Sequence, residues 1–324
     1  MYPVHFQKRQ HNVHADALVA IHKSVVGDEC IAEPCALFLL GRIELLPVKA
    51  GKGVLQCGIQ QGFIPDTDTA ACFLGDEKSC LEAFRPWKEG AEEAGIENYQ
   101  AHAPFPTYIY SPDDPAYNDA LIDVLEKTIM GCDYIGCHKL VVHPFFLAYE
   151  TQLSREEEWA NNIDRYSRLI PAAKKYGVTI LLENMFTAYH GKLYTACCSD
   201  IATACRYIDT LNEIAGEKLF AFCLDTGHLL ITGQDVKETM LQLGSRIEAF
   251  HVHDNNGASD QHLAPYMGVL DWNRFIEGLR EIGFNKTMSF ETFNIWNVMD
   301  REIAPEMLRV IAKTGRMFAR RAEE

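Results

Sequence analysis

The sequence has no CxxC pair, no apolar leader, no charge-free hydrophobic run long enough to cross a bilayer, and no basic excess. Each absence excludes something. Eleven cysteines is an odd count, and without CxxC spacing in a chain of 324 residues they read as reduced thiols of a cytoplasmic protein rather than as a disulfide framework. The N-terminus MYPVHFQKRQH carries no h-region, and the early apolar run CALFLLGRIELLPV is interrupted by Arg42 and Glu44. Neither a signal peptide nor a membrane span is expected. A formal net charge of −15 excludes a surface that attracts nucleic acid or anionic lipid as a whole, which leaves small polar substrates as the favoured partners. There is also no low-complexity linker, composition shift or close internal repeat, so residues 1–324 read as a single domain.

What is present is alternation. Short apolar runs, IENYQAHAPF, HKLVVHPFF, VTILLENM, LFAFCLDTGH, IEAFHVHDN and NKTMSFETF, are separated by helical patterns such as DALIDVLEKTIMGCDYIG, EEEWANNIDRYSRLIPAAKKYG, SDIATACRYIDTLNEIAG and WNRFIEGLREIG. This βαβ spacing implies a parallel sheet. Gly136, Gly177 and Gly283 stand where a left-handed C-cap would turn each helix into the next strand. With YPVHFQ and GRIELLP as the first two strands the count reaches eight, the number of an α/β TIM barrel. In the N-terminal third, VKAGKG followed by VLQCGIQQGF reads as an irregular or inserted hairpin.

Residues able to bind a metal recur at the ends of these runs: His102, His143, Glu183, Asp225, His251 and Glu291. Barrel active sites are built at this rim. Any one of them could instead be a cap or a hydrogen-bond partner, and Asp225 in LDTGH could cap the helix that follows. Six in succession favour a shared cation, because Glu183 after VTILL and Glu291 after TMSF would otherwise be costly isolated charges. His228 lies a turn beyond Asp225. His251 and His253 share one face of their strand, so a period of two does not choose between them. Asp260 and His262, two apart in a loop, could bind a second ion, hold substrate hydroxyls, or face solvent.

The ordered set LLENM, LDTGH, HVHDN, DQH, VLDW and SFETF resembles the xylose isomerase-like TIM barrel superfamily of sugar isomerases, epimerases and endonuclease IV, over about residues 101–294. The resemblance implies a divalent ion held by Glu183, Asp225, His251 and Glu291. His251 is preferred over His253 because an acid, Asp254, follows three residues later. His102, His143, His228, Asp260 and His262 also match further ligands of the endonuclease branch. Two departures stand out: ketose 3-epimerases of this superfamily carry a second glutamate where this chain has Tyr189 and an arginine where His262 falls. Tyr266 replaces a usual glycine in the loop before the last helices.

The expected function is a metal-dependent sugar isomerase or epimerase using Mn, Mg, Co or Zn, at least one ion. Glu183, Glu291 and His228 are its expected catalytic groups, and His102, His143, Asp260 and His262 its contacts to a carbohydrate substrate. Alternatives are the catalytic subunit of a C-glycoside deglycosylating complex and an endonuclease IV-type phosphodiesterase. Neither nucleic acid nor membrane is an expected partner; a homo-oligomer or a partner subunit is compatible with the sequence.

Overall fold

The computed structural model describes residues 46–47, 56–57, 73, 75–95, 97–104, 109–111, 114–147, 153–189, 192–292, 294 and 299–324. In chain order the elements are β1 (Leu46–Pro47), β2 (Gln56–Cys57), α1 (Glu77–Ala94), β3 (Ala101–His102), β4 (Ile109–Tyr110), α2 (Pro115–Tyr134), β5 (Lys139–Val141) and β6 (Phe146–Leu147). There follow α3 (Arg155–Tyr176), β7 (Thr179–Glu183), β8 (Phe186–Tyr189), β9 (Lys192–Thr195), α4 (Ile201–Ala215), β10 (Phe220–Asp225), α5 (Thr226–Ile231) and α6 (Val236–Leu243). The last are β11 (Ile247–Val252), α7 (Trp272–Glu281), β12 (Ser289–Phe290) and α8 (Ala304–Glu323).

Six strands form one parallel sheet in the order β12-β11-β10-β7-β5-β3, so every neighbour is joined by a helical crossover in sequence order. These are the six runs expected from the sequence. Of the two further expected strands, YPVHFQ lies outside the described residues and GRIELLP is described only at its last two. Those two pair antiparallel with β2, Leu46 opposite Cys57 and Pro47 opposite Gln56, in a two-stranded sheet of their own, so this end of the expected second strand forms a hairpin with part of VLQCG instead of joining the parallel sheet. Gly136, Gly177 and Gly283 take the left-handed conformation at φ of 71°, 64° and 62°. Helix α3 starts with a reciprocal capping box between Ser154 and Glu157. Among the described residues no helix is long and apolar enough to cross a membrane.

The side-chain period of two decides what faces the barrel axis. Leu140, Ile180, Leu182, Phe220, Phe222, Leu224, Phe250 and Val252 belong to the large core shared with the helices. The alternate residues Val141, Leu181, Ala221, Cys223 and Ala249 form a separate, fully buried inner cluster. One step of two further along each strand, the same inward face carries His143, Glu183, Asp225 and His251. The polar site therefore stands on an apolar floor, at the C-terminal ends of the strands.

Candidate metal centre

Strand register levels the site. Asp225 pairs with His251, Cys223 with Glu183, and His251 with Ser289, which leaves Glu291 just past the end of β12, where its N–H donates to the carbonyl of Val252. His251 Nδ1 lies 3.1 Å from Glu183 Oε1, 3.4 Å from Glu291 Oε2 and 3.8 Å from Asp225 Oδ2. Four residues far apart in sequence thus face one point. The other oxygen of Glu183, Oε2, lies 3.1 Å from His143 Nε2 and 3.6 Å from His102 Nε2, and those two nitrogens are 2.9 Å apart. Glu183 has a ligand-type neighbourhood on each oxygen.

A third grouping surrounds Asp260. Its Oδ2 is 2.8 Å from His262 Nε2 and 3.7 Å from His228 Nε2, and Phe186 on β8 packs edge-on against the His228 ring at 5.0 Å. His253 lies beside this group, stacked on His262 with ring centroids 4.1 Å apart. Sets of three that could hold a metal ion are His102, His143 and Glu183; Glu183, Asp225 and His228; Asp225, His251 and Glu291; and His253, His262 and Glu291. His102, His143, Glu183, Asp225, His228, His251, Asp260, His262 and Glu291 meet in one cluster, and the cap reading of Asp225 holds: its Oδ1 accepts the N–H of His228 at 2.7 Å at the start of α5, while the carboxylate also faces His251.

The protonation pattern follows from this crowding. Burial alone would raise the Glu183 carboxyl, but the charges of His251 and His143 and hydrogen bonds from His102 and His143 bring it well below the ordinary glutamate range. Burial also opposes the charging of His228, yet Asp225, Asp260 and Glu183 raise it well above the ordinary histidine value.

The histidine tautomers test whether these residues suit a metal. A carbonyl only accepts, so a ring nitrogen beside one must carry the proton. His102 Nδ1 donates to Ala103 O at 2.8 Å, His228 Nδ1 to Asn184 O at 2.7 Å, and His262 Nδ1 to Glu291 O at 3.0 Å. Each leaves Nε2 turned toward a carboxylate, the nitrogen that a backbone acceptor reserves for a metal once its proton is displaced. Asp260 Oδ1 is buried with no hydrogen-bond partner, a further coordination-ready atom. The residues fit a cation.

Some supports were not foreseen. Asn184 bonds both backbone groups of Asp225, Nδ2 to its carbonyl and Oδ1 from its N–H, besides fixing the His228 tautomer. The antiparallel pairing of β8 with β9 was also missed, although FTAY and KLYT each carry strand-forming residues. Asp254 does not enter the cluster. Its Oδ1 accepts from Asn255 N and Leu270 N, both at 3.0 Å, and its Oδ2 from Trp272 Nε1 at 3.1 Å, pinning both ends of the loop that carries Asp260 and His262. Asp254→Ala leaves three buried donors unsatisfied and is expected to destabilise the fold by about 3 kcal/mol. Chemical denaturation would measure this, and a loss below about 1 kcal/mol would contradict the anchoring role. Tyr266, in place of the expected glycine, keeps a left-handed φ of 72°.

A fold of parallel βα units with its polar residues gathered at the C-terminal rim defines a class: the chain belongs to the xylose isomerase-like TIM barrel family, whose model matches residues 65–314. An uncharacterized protein of Methanocaldococcus jannaschii is 27% identical over 213 residues, 65% of this chain and 70% of that one. The inosose isomerase of Bacillus subtilis is 23% identical over 56% of this chain and 63% of its own length. A probable endonuclease 4 of Mesomycoplasma hyopneumoniae is 25% identical over 76% of this chain and 91% of its own. Among solved structures, L-ribulose 3-epimerase superposes with a TM-score of 0.59 at 18% identity, covering 82% of this chain and 86% of that one. The IOLI protein with a bound zinc atom gives 0.56 at 21% identity, covering 72% and 79%. These superpositions establish the shared fold.

Proposed function

We propose that the chain is a divalent-metal-dependent isomerase or epimerase acting on a sugar or related hydroxy-ketone. The observation that carries this reading is the convergence of Glu183, Asp225 and Glu291 on His251 Nδ1, with two of the carboxylates within 3.5 Å. Similarity to an inosose isomerase supports the reaction class, and the bound zinc of the IOLI protein supports the cofactor. The imidazole-rich sets favour Zn, Co or Mn over Mg. When bound, the cation polarises a carbonyl and its neighbouring hydroxyl and so acidifies the adjacent C–H.

The chain's own residues divide the remaining work. Both oxygens of Glu183 face histidines and its side chain is only 2% exposed, so we assign it to holding cations rather than to proton transfer. Glu291, at 12%, has the more open carboxylate, and we assign it the base that takes the substrate proton and returns it. His228, whose Nε2 faces Asp260, joins His102, His143, Asp260 and His262 as a ligand group in this reading, in place of the catalytic role expected for His228 and the substrate contacts expected for the other four. The half-buried Phe186 supplies an apolar wall beside them.

The test is a panel of keto-sugars and inososes assayed with Zn, Co, Mn and Mg after metal removal. Metal-dependent interconversion with uptake of solvent deuterium next to the carbonyl is the expected result; no cation binding at all would overturn the reading. A second reading, phosphodiester hydrolysis, is favoured by one observation: the ligand groups adjoin in several sets linked through Glu183, Asp225 and Glu291 rather than forming one. The net charge of −15 opposes it. Duplex DNA with an abasic site, offered at low salt, is expected to remain uncut, and efficient incision would reverse the ranking.

A further inference from the structure

His253 sits among the ligand-type histidines but is built differently. His102, His228 and His262 each give an Nδ1–H to a backbone carbonyl and turn Nε2 toward carboxylates. In His253 the buried Nδ1 has no hydrogen-bond partner, while Nε2 lies 3.0 Å from each oxygen of Asp225. That geometry places a proton on Nε2 for donation to the Asp225 carboxylate, which occupies this nitrogen with both of its oxygens while Asp260 Oδ1 stands 3.9 Å away. The backbone holds the residue rigidly: Thr226 Oγ1 accepts from His253 N at 3.0 Å and lies 2.7 Å from its carbonyl. The ring is fully buried, stacked on His262 at an interplanar angle of 13°. Room for it comes from Gly227, where a Cβ would lie 1.9 Å from His253 Cε1 and 2.4 Å from Nδ1.

Two neighbours of this imidazole belong to different ligand sets. Asp225 faces His251, whereas His262 faces Asp260. We infer that His253 is a positioning residue that couples these two sets: its Nε2–H orients the Asp225 carboxylate toward His251, and its ring face orients His262 toward Asp260. The inference rests on the cation-binding reading above. A buried carboxylate held by one donor keeps its remaining lone pairs in a fixed direction, and an imidazole confined by a parallel ring loses the rotation that would turn Nε2 away. One side chain thereby preorganises both halves of the cluster.

The full-length protein, stripped of metal and titrated with Co(II), tests this by calorimetry and by the visible ligand-field spectrum of the bound cobalt. His253→Ala is expected to bind the same number of cobalt ions at saturation, about 10–100-fold more weakly and with an altered spectrum. His253→Gln keeps a donor without the stacked ring, and His253→Phe keeps the ring without the donor; each should recover part of the lost affinity. Gly227→Ala, which drives the ring from its place, should reproduce the weakening with His253 still present. If His253→Ala binds fewer ions at saturation, His253 is itself a ligand and the inference is overturned. Unchanged affinity in His253→Ala overturns it too, as does full recovery by either the Gln or the Phe variant, because one of the two contacts would then be idle. Should the alanine variant fail to fold, the Gln, Phe and Gly227 variants decide on the same criteria. A wild type that takes up no cobalt would overturn the cation reading itself, and this inference with it, an outcome distinct from the others.

Discussion

Glu183→Gln is expected to strip the protein of most of its bound cation and to lower turnover by on the order of 10²–10³-fold while leaving the barrel folded. The reasoning is geometric. One Glu183 oxygen faces His251 and the other faces His102 and His143, so an amide, whichever way it turns, presents N–H groups to one of those sides. An N–H group does not ligate a cation, but it does donate to an imidazole nitrogen. The metal-free variant, having lost the carboxylate that balances His251 and His143, should unfold below the metal-free wild type, and the gap should widen when cation is added. Metal content per chain after dialysis, together with thermal unfolding with and without added Zn, measures both halves. Full retention of the cation would remove Glu183 from the centre of the site.

Glu291→Gln should behave in the opposite way, keeping cation and much of the substrate affinity but losing about 10²–10⁴-fold in exchange of the substrate's α-proton with solvent. His262 is oriented by the backbone carbonyl of Glu291, not by its side chain, so the substitution leaves that contact in place. Deuterium incorporation from heavy water into a keto-sugar, followed with both proteins saturated with metal, separates the two roles. Undiminished exchange would show that Glu291 only binds. The contrast between the two glutamines is the sharper observation, since a general disturbance of the site would affect metal content and exchange together in both.

Much of this site could be read from the sequence because His102, His143, Glu183, Asp225, His251 and Glu291 each stand at or just past the end of an apolar strand, and strand ends are positions that short hydrophobic runs mark well. VTILLE, LFAFCLD and IEAFH carry their own register: alternate residues face the floor, and the next residue on that face is the candidate ligand. The choice between His251 and His253 could not be read this way, as both lie on that face. What separates them is the neighbour each nitrogen meets, Glu183, Asp225 and Glu291 for one and Asp225 with a stacked His262 for the other, and those neighbours come from other strands. Asp254 was legible as an acid near a ligand, but its work as an anchor depends on Trp272 and Leu270, well down the chain. The β8–β9 hairpin escaped because its residues follow a ligand strand directly, where a helix was the pattern expected. Asn184 escaped for a simpler reason. A polar residue beside Glu183 looks like a second ligand or a loop residue until both of its bonds to the Asp225 backbone are seen.

The double use of Asp225 has a consequence for how occupancy can be watched. Helix α5 has six residues, too few to persist without a tertiary anchor, and its first turn hangs on the same carboxylate that faces His251. Filling the centre then steadies a segment of main chain as well as a set of side chains. The amides of residues 226–231 become a colourless gauge of loading: their deuterium uptake, resolved by mass spectrometry, should slow as cation is added, following the binding curve without chromophore, substrate or turnover.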